Sequence, residues 1–178
     1  MLEWTEVIVI DGMELRLVAS ASGVRAIEFD PGPVPEGQRN DGNPLLTEAA
    51  RQLRAYFAGA LREFSLPLDL QGTEFQKRVW GQLAAIPYGE TRSYLQIAQA
   101  LGSPRAVRAV GAANGANPVP IVVPCHRVIG ARGKLVGYGG GLAMKKRLLE
   151  LEGAMALPLA LMGAGGIDGT KPIPELSD

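Results

Sequence analysis

The chain has 178 residues, with 18 Lys and Arg balanced by 18 Asp and Glu, and carries 23 Gly and 13 Pro. That length suits one ordinary domain or two small ones with a packed core and many turns. No apolar run approaches a membrane span, and the start at Met1 lacks the basic flank and apolar core of a signal peptide.

The single cysteine excludes an internal disulfide, and with one histidine it argues against a structural zinc site. A free thiol suits a reducing compartment, the cytoplasm, and the nucleus as well in a eukaryote. Charge is unevenly spread. Residues 73–153 hold eleven basic and four acidic groups, a net of +7, against −5 for the first 72 residues and −2 for the tail from Ala154. A basic half of this kind suits a polyanionic partner, although solvated surface charge reads the same way.

Val7–Ile10, Asp11-Gly12 and Met13–Val18 predict a hairpin about an Asp-Gly turn, with a third strand over Gly23–Phe29. Residues 31–42 read as a loop. Asn43-Pro44 opens a helix whose apolar positions, Leu45, Ala49, Leu53, Tyr56 and Phe57, run to Gly59. Nothing in this acidic α+β portion suggests chemistry, and residues 67–72 read as its exit.

The second portion is mainly helical. Thr73–Gln76 and Ser93–Gln96 are capping boxes, the second helix presenting Leu95, Ala98 and Leu101 and closing at Gly102. Ser103-Pro104 restarts at once, so a turn of about three residues joins two helices in a helix-turn-helix layout. The second of these, Pro104 to about Asn114, has mostly small side chains, which let a backbone approach a sugar-phosphate wall. Arg105 can then hold a phosphate and Arg108 reach into a duplex, which is sequence-tolerant binding. A small-residue helix packed in a core fits the same residues.

Ile121–Val123 predicts a strand that Pro124 ends at Cys125, followed by His126 and Arg127, whose charges would favour thiolate. A lone cysteine after two valines also reads as a small core residue. Gly137–Gly141 is a loop that can approach a planar ligand, with Tyr138 as a stacking wall, although a Gly-rich turn with a packed Tyr is the more common explanation of such residues. Leu142–Leu151 predicts a last helix with Met144, Leu148, Leu149 and Leu151 inward. Glu152 at its C-terminal end opposes the macrodipole, and pairing with His126 would explain it.

Together these residues resemble the O6-alkylguanine-DNA alkyltransferases, a direct-reversal DNA repair family. The signature Pro-Cys-His-Arg-Val stands at Pro124–Val128, and Asn-Pro-x-Pro-Ile at Asn117–Ile121. Arg-Ala-Val-Gly lies at Arg108–Gly111, Phe-Gln-x-x-Val-Trp at Phe75–Trp80 and Ile-Pro-x-Gly-Glu-Thr at Ile86–Thr91. Ser93-Tyr94, Gly137-Tyr138-x-Gly-Gly and Leu-Leu-x-x-Glu-Gly at Leu148–Gly153 complete a collinear match over residues 73–153. The resemblance implies an α+β fold: a ribonuclease-H-like N-terminal domain over 1–72, a catalytic helix-turn-helix domain over 73–153, and a tail over 154–178 without a role.

It also implies irreversible, single-turnover transfer of an alkyl (methyl) group from O6 of guanine to Cys125, with O4 of thymine an open second substrate. No cofactor or metal is implied. The implied partner is double-stranded DNA bearing O6-alkylguanine, bound by a monomer without sequence preference and with the base flipped. The family's relay of Cys, bridging water, His and Glu would be Cys125, His126 and Glu152. Tyr94 would crowd the phosphate and donate to guanine N3, and Asn117 would be the hinge amide. Arg108 would be the finger filling the vacated stack, with Ser103, Arg105, Ala106, Tyr94 and Gly111 also on DNA. Tyr138, Val128, Gly139 and Gly140 would complete the guanine pocket. Gly139 stands where some members have Ser, leaving only a backbone amide for O6. The alternative is a helix-turn-helix protein that binds DNA or alkyl lesions without chemistry, but Cys125 speaks against it.

Overall fold

The computed structural model describes residues 1–155; the tail expected over 154–178 lies almost wholly outside them. The chain starts with strands β1 (Glu3–Trp4), β2 (Ile8–Ile10), β3 (Met13–Ser20), β4 (Gly23–Phe29) and β5 (Gln38–Arg39). β3 is the spine of the sheet. β4 runs antiparallel along one of its edges, β2 and then β1 along the other, and β5 joins β1 in parallel. The hairpin turn forms as predicted: Asp11 and Gly12 both adopt positive φ, 54° and 78°, as a type I′ turn requires.

Helix α1 (Pro44–Phe57) packs on this sheet. Asn43 caps it as the sequence indicates, its side chain accepting from the N–H groups of Leu45 and Leu46. The exit segment does not leave the sheet directly. Leu68 bridges Val24 of β4 in parallel, and the Val24 N–H donates to Pro67 O at 2.8 Å.

Helix α2 (Glu74–Ala84), strand β6 (Arg92–Ser93), and helices α3 (Tyr94–Ala100) and α4 (Val107–Gly115) follow. Both capping boxes are formed, with reciprocal bonds at Thr73/Gln76 and Ser93/Gln96. Two expectations here are corrected. α3 buries Ile97 and Ala98 while Leu95 is exposed; helical rotation places Leu95 next to Tyr94 on the outer flank. And α4 starts at Val107, without a side-chain cap, because residues 103–106 form a turn closed by Ala106 N–H donating to Ser103 O. The link between the two helices is therefore longer than three residues.

The run Ile121–Val123 is not a strand. It is a tight turn with Ile121 at φ 72° and a bridge between Pro120 and Val123. Pro120 and Pro124 leave too few free N–H groups for a ladder, so the turn wins over the β-branched composition. A 3₁₀ turn over Cys125–Arg127 leads into strand β7 (Val128–Ile129), which pairs in parallel with β6. After a second 3₁₀ turn at Ala131–Gly133, helix α5 (Leu142–Leu151) buries Leu148 and Leu149 as expected. Lys145 takes the inward place given to Met144, which is only partly buried, as is Leu151.

Buried side chains from both portions form one continuous cluster, from Leu15 and Tyr56 through Trp80 to Val110 and Leu148. Trp80 is anchored by its indole N–H donating to Ala113 O at 2.8 Å, which locks α2 against α4. Across the two portions, the Ile27 N–H of β4 donates to Pro118 O at 2.9 Å, beside the segment that leads to Cys125.

Candidate active site

Cys125 is the first residue of its 3₁₀ turn, 5% exposed, and lines a cavity of about 750 Å³. The same cavity is walled by Tyr94, Gly111, Asn117, Tyr138 and Gly139, which the sequence had assembled, and by Asn114, Ile27 and Phe29, which it had not. The volume lies in the ordinary range for a small-molecule site. Two assigned pocket residues are elsewhere. Val128 is fully buried in β7, and Gly140 does not line the cavity. Gly140 instead makes room for Tyr138, whose ring carbon lies 3.1 Å from where a Cβ would stand.

Behind the cysteine sits a closed ionic cluster. Glu152, at the C-terminal cap of α5 and 6% exposed, faces the imidazole Nε2 of fully buried His126 at 2.8 Å through its Oε1. The expected pairing is thus present. Arg127 turns toward the same carboxylate, donating from Nε to Oε2 and from Nη2 to Oε1, both at 2.9 Å, and from Nη1 to Ile86 O. Tyr56, from α1 of the portion that suggested no chemistry, donates its hydroxyl to Oε1 at 2.6 Å. Its signal in the sequence was a phenol on the inward face of a helix, a position where the O–H needs a partner. Burial raises the Glu152 carboxyl, but the bonds from His126 and Arg127 outweigh it and hold the group at about 2.

The thiol does not rest as thiolate. Burial pushes Cys125 up, opposed by the Asn117 amide, the Lys145 ammonium and the N–H groups of Cys125 and His126. Burial likewise pushes His126 down, only partly offset by Glu152. The expectation that Arg127 favours thiolate fails because Arg127 is bound to Glu152. The pair at rest is therefore a neutral thiol and a neutral imidazole. In a 3₁₀ turn, successive side chains diverge by roughly 120°, so the two groups do not face each other. The imidazole Nε2 is occupied by Glu152, while Nδ1 is buried without a hydrogen-bond partner among the described residues.

Asn117 ties the turn to α4, donating from Nδ2 to Val123 O at 2.8 Å and accepting the Val119 N–H at 3.0 Å. Tyr94, the first residue of α3, donates to Val136 O at 3.0 Å, and Lys145 Nζ donates to the same oxygen and to Gly137 O. Lys145 is fully buried, and burial lowers its ammonium to about 8. On the outer face, Arg105 and Arg108 are exposed. Ser103, Arg105 and Ala106 line a second, shallower hollow of about 510 Å³ at the turn before α4. Gly111 joins that face to the cavity, with the Tyr94 ring 3.9 Å from its Cβ position.

Residues 14–70 match the family model described as 6-O-methylguanine DNA methyltransferase, ribonuclease-like domain, and residues 74–154 the one described as its DNA binding domain. A methylated-DNA–protein-cysteine methyltransferase of Methanosarcina acetivorans is 51% identical over 142 residues, covering 78% of this chain and 90% of that protein.

The chain belongs to the methylated-DNA–protein-cysteine methyltransferase family.

The Mycobacterium leprae methylated-DNA–protein-cysteine methyltransferase is 64% identical over 110 residues, 62% of this chain and 67% of that one. Among solved structures, Mycobacterium tuberculosis OGT in complex with DNA superposes with a TM-score of 0.78 at 48% identity, covering 85% of this chain and 93% of that one. For a methylated-DNA–protein-cysteine methyltransferase the α+β architecture, with a sheet-and-helix portion before a helical DNA-binding portion, is the family's own.

Proposed function

We propose that Cys125 is the acceptor sulfur of the family's reaction, direct-reversal repair in which an alkyl group passes from O6 of guanine in DNA to a protein cysteine. The observation that carries this is the juxtaposition of Cys125 on the wall of a nucleobase-scale cavity with the His126–Glu152 pair directly behind it. Because O6 is unreachable in a stacked duplex, the target nucleotide is extruded into the cavity, and Arg108, exposed on α4, fills the gap it leaves. Ser103, Arg105, Ala106 and Gly111 form the surrounding DNA face, which binds backbone rather than sequence. The protein acts as a monomer in the cytoplasm, on double-stranded DNA.

The resting protonation states require a proton transfer at the moment of reaction. The Cys125 proton passes through a water to Nδ1 of His126, whose Nε2–H is held by Glu152. Glu152, fixed as carboxylate, orients the ring and stabilises its charged form without taking the proton. The sulfur attacks the alkyl carbon in line, a C–S bond forms, and the C–O6 bond breaks. The departing guanine takes up a proton, for which Tyr94 is the donor at N3. Asn117 steadies the thiolate as it forms. The product is a thioether, which water does not cleave as it would an acyl ester, so each molecule reacts once.

The N-terminal portion contributes a wall of the pocket through Ile27 and Phe29. We assign domains at 1–72 and 73–153. Incubation with a methylated-guanine oligonucleotide is expected to add one methyl group per protein, on the Cys125 peptide. Cys125→Ser should keep DNA binding and gain nothing. Binding without any mass gain in the wild-type protein would leave the lesion-binding reading in its place.

A further inference from the structure

We infer that Tyr56, ninety-six residues from its partner in sequence, is a positioning residue for alkyl transfer: by donating to Glu152 Oε1 it sets how firmly that carboxylate holds His126. The inference rests on the reading of Cys125, His126 and Glu152 as the reacting relay.

Packing puts the hydroxyl there. Tyr56 lies in the last turn of α1, fully buried, its ring edge-on to Phe57 and Tyr88 and tilted against Phe64. Enclosed in this way the phenol cannot swing to water, and Glu152 Oε1 is the acceptor it reaches, at 2.6 Å. That distance is typical of an O–H donating to a charged oxygen. Burial and the neighbouring Glu152 charge push the phenol's ionisation up, so it is a donor throughout the working range.

A carboxylate offers about four acceptor sites. Here Oε1 takes Tyr56, His126 and Arg127 Nη2, while Oε2 takes Arg127 Nε and, at 3.5 Å, the Gly89 N–H. Five donors crowd about four sites. Each donor draws on the same negative charge, so the pull on the imidazole Nε2–H is fixed by competition. Arg127 is a permanent charge held also by Ile86 O, and the Gly89 N–H lies on Oε2, so among the described residues the phenol is the neutral side-chain donor that competes with His126 for Oε1. Among the described residues, the charged groups facing His126 are Glu152, Arg127 and Lys145, and the titratable phenols facing Glu152 are Tyr56, Tyr88 and Tyr138. Lys145 loses charge near 8, so the effect is read below that pH.

Tyr56→Phe keeps the ring and removes the donor. With one histidine in the chain, a histidine-labelled sample of the full protein gives a single imidazole NMR titration. We expect that titration and the acid limb of the single-turnover rate profile to rise together by about half a pH unit or more, with DNA affinity unchanged. Incorporating 3-fluorotyrosine at position 56, a stronger donor of nearly the same shape, should move both the other way. A folded Tyr56→Phe protein with both midpoints unmoved overturns the inference. So do two variants shifting in the same direction, as mere packing damage would produce. If Tyr56→Phe does not fold, the fluorotyrosine arm decides alone. Failure of the underlying reading looks different: wild-type protein that gains no methyl group on Cys125.

Discussion

Replacing Glu152 by Gln removes one charge without changing size, and the structure gives its cost by two routes. The first is the ion pair. Arg127 has a side chain 8% exposed and, among the described residues, no carboxylate other than Glu152. Breaking one partner of a buried pair costs about 3–5 kcal/mol. The second is proton linkage. Glu152 is held at about 2 against an ordinary 4.5, which corresponds to about 3 kcal/mol of stability at neutral pH. The two agree in order of magnitude. Against a typical total of about 5–15 kcal/mol, this is a large share, and the melting temperature should drop by about 6–20 °C. The sign follows from the depressed folded value. The contribution is fully present above the unfolded value of 4.5 and is lost as pH falls toward 2, so the gap between wild type and variant should narrow over that interval. Thermal melts of the DNA-free protein from pH 7 downward test this. A melting temperature within about 2 °C of wild type at pH 7 would refute the cluster's role in holding the fold.

Arg108→Ala should slow transfer on duplex substrate much more than on an already extrahelical base, read by single-turnover kinetics on both; equal losses would exclude a role in extrusion. DNA affinity should fall steeply and log-linearly with salt, measured by fluorescence anisotropy, with little sequence preference. Lys145 is held at about 8, below its ordinary 10.5, so the unfolded chain binds the extra proton between those values. Wild-type stability should therefore gain a rising component with pH over that interval, on the order of 3 kcal/mol. Lys145→Met should remove that component in urea titrations at matched pH.

Local chemistry that repeats at short range was legible. The Asp11-Gly12 turn, the Asn43 cap, both capping boxes and the bounds of α5 follow from side chains within four residues of one another. So did the Glu152–His126 pair, because a carboxylate at a helix C-terminus demands a reason. What failed depended on distance or on competing rules. The turn at Ile121 carries strand-forming side chains but is flanked by prolines. The pocket's Ile27 and Phe29 arrive from a strand nearly a hundred residues earlier. The charge of Arg127 suggests a thiolate, whereas tertiary packing turns that guanidinium toward Glu152 and leaves burial to dominate at the thiol.

Ile121 is fully buried and branched at Cβ, yet holds a left-handed backbone at φ 72°. Such a conformation costs of order 1–3 kcal/mol and persists only where its surroundings over-determine it. Here the restraints are the Val123 N–H to Val119 O bond and the two arms of Asn117. Cys125, four residues on, therefore follows directly from main chain held in this conformation. With a single side-chain torsion between that main chain and the buried Cys125 sulfur, an added carbon there would have little room before it pressed on the same restraints.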